Sequence, residues 1–561
     1  MTRLQRLFPF LLWPRPDAAL LRGEAMAGLT VALMVIPQGV AYAALAGMPL
    51  ITGIYASLLP TLVAALFSGS MRLSVGPTAL TSLMVSASLA GLAEPGSPQW
   101  VGLAVWLSLL TGALQVALGF IRFGWLLNLI SSPVLIGFTQ AAAVLIIASQ
   151  LPTLLGVPNL ASLARGTLDV HWGALAFGLG SVALLLSARR LKPDFPMVLL
   201  VVVLAAMLSA WSGFEIAGGA VVGTLPSGLP TLYWPSWPDS HIWGELLMPV
   251  LIITLVSFLE TASCAKTDNE RAGRRWDQEQ DLIGQGLGKI VSGLCGSFPT
   301  SSSFSRSALI LYAGARTGWA TVASVLVVLI ALLFLTPVLR YVPQAVLAAI
   351  VITAVLGMLK PREFARLWRI SRVEAGIGVV TFALTLATAP RLYWGVLAGI
   401  LMALSHFLYQ RLHPRIIEVG LHGDGSLRDR HLWKLSPLAP NLYALRMDAA
   451  LDFASASAFE RAITQKVNQQ ASLRHVCWLA QAINHIDATG VETFAKVRQS
   501  LQTRAITLHI SGMKLPVERV LRAAGALVPD PGLRMYRTDA ETLQALHALE
   551  PEDGRAGTGI G

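Results

Sequence analysis

Charge is scarce in this chain. Lys, Arg, Asp and Glu make up 13% of its 561 residues, where a soluble globular protein carries about 25%. That shortfall excludes an ordinary soluble fold for most of the chain. Cysteine is scarce too. Cys264, Cys295 and Cys477 are the three present, too widely separated for a ligand set or a disulfide framework. The sequence contains no nucleotide loop, metal cluster or nucleophile constellation, so no enzyme, cofactor or metal is expected. A net charge of +11 would raise nucleic-acid binding in a soluble chain. Here the bases sit in loops between apolar runs, which positive-inside topology explains with no nucleic-acid partner.

Apolar residues are what the chain has in plenty, at 54% with mean hydropathy +0.62. They spread over 25–410 in many runs of near-spanning length, so a polytopic helical membrane protein in contact with lipid is expected. The windows number about fourteen, from 25–44 to 392–410, with the third near 73–91, the eighth near 244–264 and the tenth near 300–314. Four basic clusters fall on one side if there are fourteen spans. They hold Arg3, Arg6, Arg15 and Arg22; Arg189, Arg190 and Lys192; Lys266, Arg271, Arg274 and Arg275; and Lys360, Arg362, Arg366, Arg369 and Arg372. The long connection near 212–243 has no Lys or Arg and falls on the other side. Both termini are therefore expected in the cytoplasm. Trp234, Trp237 and Trp243 in that connection read as an interfacial belt.

Residues 1–22 are too broken by proline and charge for a signal peptide and read as a cytoplasmic arm, followed by a transmembrane domain at 23–412. After His413 the composition changes. A linker is expected over 413–432 and a small α/β domain over 433–545, with a disordered tail at 546–561. NLYALRMDAAL, RHVCWLAQAI and AITLHISG are strand-like. Phe459, Ile463 and Val467, and then Phe494, Val497 and Leu501, recur at helical spacing between them.

The segment GSFPTSSSFSR, Gly296 to Arg306, interrupts the apolar pattern. An arginine at membrane depth costs about 2.5–3.5 kcal/mol on insertion scales, so it implies a polar cavity or an anionic partner. Pro299 suits a first helical turn, and a helix starting here would aim free N–H groups and Arg306 at an anion. Gly76-Pro77-Thr78 opens the third segment in the same way. Paired interruptions at corresponding positions of two halves point to a transporter site at an inverted-repeat interface. Gln38 follows Pro37, and Tyr42 lies four residues on, on the same helix face. Glu260 is the lone acid of its span. It reads either as a residue near the cytoplasmic end, solvated or paired with Lys266, or as a site carboxylate that accepts a proton or pairs with Arg306.

GMPLITGIYASLLPTLVAALFSGSMRLSVGPTALTSLMV, IPQGVAYAALAG, FLETASCAKT and SFPTSSSFSRSALILYAGARTG resemble, in order, motifs of the SulP (sulfate permease) family, whose relatives include prestin and pendrin. The C-terminal region resembles that family's STAS domain. The resemblance implies 7+7 inverted repeats arranged as core and gate domains, as in uracil permeases. It also implies a homodimer in a plasma membrane, with bacterial inner membrane as the first expectation. Half-helices three and ten would meet head to head around the anion. Gln38, Tyr42, Thr78, Ser303, Ser305 and Arg306 would bind it, and Glu260 would couple a proton. The expected activity is secondary active anion transport, sulfate first, with bicarbonate or C4-dicarboxylate as rivals. An anion channel, or a regulatory protein in which STAS binds cytoplasmic regulators, is the alternative of another class. Where the family commonly has Val-Thr-Gly-Ser after the proline, this chain has Thr300-Ser301-Ser302-Ser303, which bears on substrate size or affinity. Thr489, in IDATG, stands where some STAS relatives carry a phosphorylatable serine; it reads as a regulatory hydroxyl or as a helix N-cap.

Overall fold

Small polar residues and prolines set where the apolar runs become helices. Ser97 caps the helix Pro98–Phe120 by accepting from the Trp100 N–H at 3.1 Å, with Pro98 in the first turn. Asp17 does the same for Ala18–Leu45 through the Leu20 N–H at 2.7 Å. The structure is a computed structural model that describes residues 8–125, 131–157, 171–191, 197–226, 228–334 and 339–548. Arg3, Arg6, Lys192 and the expected tail from 549 onward lie outside the described residues, as do the side chains of Arg189, Arg190 and Arg271.

The chain forms two compact units, Met1–Ala403 and Leu404–Gly561. The helices of the first unit, in chain order, are α1 (Ala18–Leu45), the short α2 (Thr52–Tyr55) and α3 (Leu59–Phe67), α4 (Ala79–Leu89), α5 (Pro98–Phe120), α6 (Ser132–Leu155), α7 (Trp172–Leu191) and α8 (Met197–Ser212). There follow α9 (Ser240–Arg271), α10 (Gln278–Leu294), α11 (Phe304–Tyr312), α12 (Trp319–Phe334), α13 (Gln344–Leu356), α14 (Pro361–Ile370), α15 (Arg372–Ala387) and α16 (Tyr393–Leu412), which crosses the boundary between the units at Ala403. Taking α2 and α3 together as one broken segment, and α14 as a connector, these occupy the fourteen expected windows. Segments three and ten, α4 and α11, are too short to span a bilayer of about 30 Å at 1.5 Å per residue.

The helices pack closely where side chains are small. A Cβ on Gly112 of α5 would stand 2.6 Å from the Gly286 carbonyl oxygen of α10, and a Cβ on Gly286 would stand 2.6 Å from that of Gly112. The two backbones can touch only because both positions are glycine. Leu204, Leu326, Leu401 and Phe407 are exposed on the outside, as side chains facing lipid must be. Trp106 packs against Trp237 and Trp243 at 5.0 Å between ring centroids, with its N–H on the Ser236 carbonyl. The arm is seated rather than loose. Trp13 is buried and meets Trp319 edge-on at 5.6 Å, and α1 starts at Ala18, inside the stretch expected as arm.

In the second unit a six-stranded sheet runs in the order β4-β3-β5-β6-β7-β8. Its strands are β3 (Ile416–Leu421), β4 (Leu427–Asp429), β5 (Leu442–Met447), β6 (His475–Leu479), β7 (Thr507–Ser511) and β8 (Leu533–Tyr536). β5 through β8 are parallel and β3 is antiparallel to both neighbours. Helices α17 (Ala456–Gln469) and α18 (Ala488–Thr503) bury Phe459, Ile463, Val467, Phe494, Val497 and Leu501 around Trp478. The expected linker 413–432 is corrected. It contributes β3 and β4; in β3 the alternating positions Ile417 and Val419 are buried, with Glu418 between them half-buried.

Candidate functional site

Two extended stretches precede the half-helices, and they pair. Val75 lies opposite Ser302 and Gly76 opposite Ser301 in a two-stranded antiparallel ladder, β1 (Val75–Gly76) with β2 (Ser301–Ser302). The Ser303 N–H donates to the Ser74 carbonyl at 2.9 Å, and the Ser74 N–H to Ser307 Oγ at 3.0 Å, closing the ladder at its end. Thr78 then caps α4 through the Thr81 N–H, and Ser303 caps α11 through the Arg306 N–H. The first-turn N–H groups of both helices have no intrahelical acceptor. Two positive helix ends are thus held side by side inside the unit.

Arg306 joins them. Its side chain is 1% exposed. Nε donates to Ser74 Oγ at 3.3 Å and Nη1 to the Pro77 carbonyl at 2.8 Å, across the ladder to the other half-helix. Nη2 is buried and has no partner among the described residues. Gly76 makes room for it, since a Cβ there would lie 3.3 Å from Nη2.

Glu260 does not ion-pair with Arg306 or with Lys266. Its Oε2 accepts from Ser301 Oγ, while the Thr78 hydroxyl bonds to Thr81. It sits within electrostatic reach of Arg306, and Tyr42 is within reach of both. The structure therefore brings Tyr42, Thr78, Glu260 and Arg306 into one cluster, in which Tyr42, Thr78 and Arg306 are buried and Glu260 is half-buried. Gln38 is one turn from Tyr42 on α1; it is 2% exposed, and its Oε1 has no partner among the described residues. Ser303 and Ser305 share a hydroxyl contact at 3.3 Å, and Ser305 is exposed. Among these groups the orphaned polar atoms are the informative ones. A buried, unpaired donor or acceptor costs about 1–3 kcal/mol, which a bound polar ligand would offset.

The serine run has a scaffold role that its sequence did not disclose. Ser301 Oγ also bonds to the Ser257 carbonyl, and Ser302 Oγ takes bonds from Gln285 Nε2 and Thr261 Oγ1, each at 3.1 Å. Two of the hydroxyls in the departure from the family pattern therefore tie β2 to α9 and α10. Lys289 was missed in the sequence. It is the lone base of the apolar segment near 280–296 and is fully buried in α10, the same signal that singled out Arg306. In the second unit the cap of α18 is Asp487, which accepts from the Gly490 N–H at 2.8 Å. Thr489 is not that cap; it lies exposed in the first turn.

Against known families, residues 21–381 match the sulfate permease family and residues 437–538 match the STAS domain. The chain belongs to the sulfate permease family. A probable sulfate transporter of Mycobacterium tuberculosis is 33% identical over 521 residues, covering 90% of this chain and 92% of that one. Sulfate transporter 4.1, chloroplastic, of Arabidopsis thaliana is 31% identical over 551 residues, covering 93% and 80%. The fold is that of the murine Solute Carrier 26 family member A9 anion transporter in its inward-facing state. That match has TM-score 0.88 and 20% identity, over 97% of this chain and 94% of that one. The transmembrane domain of a cyanobacterium bicarbonate transporter superposes with TM-score 0.59 at 20% identity, over 69% of this chain and 98% of that one. The first unit is thus a 7+7 membrane domain of an anion-transporter family, and the family is one of transporters rather than enzymes.

Proposed function

We propose that this protein is a secondary active sulfate transporter in which the anion is held between the N-termini of α4 and α11. The observation that carries this reading is the β1–β2 ladder with Arg306 spanning it, because it directs two helix ends and a guanidinium to one place. Thr78 and Ser303 fix those ends, while Gln38 and Tyr42 form a wall on α1. Ser305 opens the approach to α11. Sulfate is preferred to bicarbonate or a C4-dicarboxylate on the relatives of about a third identity named above.

Glu260 is proposed to carry the coupling proton. A carboxylate that reaches Arg306 electrostatically and bonds to Ser301 of β2 can release its charge when an anion arrives. Alternating access then moves the elements carrying the half-helices against the rest of the first unit. A homodimer in a plasma membrane with both termini cytoplasmic, and a STAS unit open to cytoplasmic regulators at Thr489, complete the proposal. Labelled-sulfate counterflow on purified protein in liposomes tests it. Saturable flux stimulated by internal sulfate is expected of a carrier, and unsaturable flux without that stimulation would mark a channel.

A further inference from the structure

Lys289 is a buried base with no ion-pair partner among the described residues. It is 0% exposed, and among the described residues no carboxylate lies within ion-pairing distance of Nζ. The partner found for Nζ is neutral: it donates to Gln115 Oε1 at 2.9 Å. Gln115 is itself held by α9, with Nε2 on the Thr254 carbonyl at 3.1 Å and on Ser257 Oγ at 3.0 Å. The backbone of Lys289 is pinned as well, accepting from Ser108 Oγ at 2.7 Å. A glutamine at this position could donate to the same amide without burying a charge. Burying an ammonium costs several kcal/mol unless a counter-charge compensates it.

The site supplies the direction in which that charge acts. Gln285 lies one helical turn before Lys289 on the same face of α10 and bonds to Ser302 of β2. Ser257, which holds Gln115, offers its carbonyl to Ser301, and Ser301 in turn bonds to Glu260. Lys289 interacts electrostatically with Glu260. The ionisable groups around the two helix ends are then Arg306 and Lys289, against Glu260, with Tyr42 and Cys264 neutral beside them. With Arg306 and Lys289 both charged, the balance is one positive charge when Glu260 is ionised and two when it is protonated. The second state matches a divalent anion travelling with a proton.

We propose that Lys289 determines the charge class of the substrate, setting the site for a divalent oxyanion of the sulfate type over a monovalent one. This rests on the anion-site reading above. Lys289 acts through its field, since its hydrogen bonds go to Gln115 and not toward the helix ends. A fixed charge acts on an anion in proportion to the anion's own charge. Removing it therefore costs a divalent ion about twice as much, in logarithmic units, as a monovalent one.

The experiment is equilibrium binding of labelled sulfate to the purified full-length chain, with nitrate as competitor, at one ionic strength. The variants are Lys289→Gln, Lys289→Arg and Gln115→Glu, the last placing a neutralising carboxylate beside an intact lysine. A ten-fold loss for nitrate should accompany about a hundred-fold loss for sulfate in Lys289→Gln. Gln115→Glu should reproduce that pattern, and Lys289→Arg should restore sulfate affinity. Where nitrate does not compete in the wild type, the sulfate affinities of the three variants decide alone. Equal losses for the two anions, or equal sulfate loss in the Arg and Gln variants, would overturn the proposal, because a purely structural lysine behaves so. Gln115→Glu decides by itself if Lys289→Gln does not fold. Wild-type protein that binds no anion would sink the transport reading, and with it this one. Wild-type sulfate binding untouched by neutralisation at 289 would sink this one alone.

Discussion

The Nη1 of Arg306 donates to the carbonyl oxygen of Pro77 at 2.8 Å, so the arginine of one half-helix is anchored on the entrance to the other. The residue that supplies positive field is also the strut that holds two chain segments together. The two roles separate on substitution. Arg306→Ala leaves the buried Pro77 carbonyl short of its donor, a loss of about 1–3 kcal/mol in stability. It should also abolish measurable sulfate flux. Arg306→Lys retains the charge but not the forked reach, and should fold better than it transports. Thermal unfolding and liposome uptake on the same preparations check this.

Glu260→Gln should uncouple the carrier without closing it. The amide can still accept from Ser301, so the local scaffold survives. Uptake driven by an inward proton gradient should fall to the level seen without a gradient, while sulfate–sulfate exchange persists. Uptake that still responds to the gradient in this variant would remove Glu260 from the coupling path.

Gly286→Ala probes the contact between α5 and α10. The new methyl would meet the Gly112 carbonyl oxygen at 2.6 Å and the Val116 Cγ2 at 2.7 Å. Overpacking of this kind costs about 1–3 kcal/mol. A lowered unfolding temperature is expected, with sulfate affinity changed less than in the Lys289 variants.

The STAS unit carries a histidine that resists protonation. Burial first, then the neighbouring His475 and Arg534, hold His509 down at about 4. The unfolded chain, with an ordinary histidine value of about 6.5, binds more protons than the folded one between those pH values. The contribution is therefore present above about pH 6.5 and is lost as pH falls toward 4. Hydrogen exchange at Thr507–Ser511, corrected for its intrinsic pH dependence, should speed up over that window, and His509→Gln should flatten the response.

Asp487→Ala should cost about 0.5–2 kcal/mol of STAS stability through the lost cap of α18. Thr489→Ala, at an exposed first-turn position, should stay within about 0.5 kcal/mol of wild type. Chemical denaturation followed in the STAS unit distinguishes them.

The parts of this structure that were legible in the sequence are those where a residue type is costly in its setting. Arg306 and Glu260 stood out because charge rarely enters an apolar span, and the paired prolines marked the interruptions. Pro299 is nevertheless not in a first helical turn: it precedes β2, and α11 starts only at Phe304. Lys289 carried the same signal but lacked a polar run around it to draw attention. The hydrogen bonds of Ser301 and Ser302 were not readable, because a hydroxyl fits a binding wall or a packed helix contact equally well. The strands β3 and β4 were hidden because Glu418 breaks the apolar run of β3 and β4 is three residues long. Which of Asp487 and Thr489 caps α18 depended on a helix start two residues away, below the resolution of a pattern.

The central claim is that an anion sits between the two helix ends bridged by Arg306. Labelled-sulfate binding to purified wild-type and Arg306→Ala protein, each shown to be folded by its unfolding transition, tests it most directly. Saturable binding in the wild type that is lost in the folded variant is the predicted result. Equal sulfate binding by the two would contradict the account.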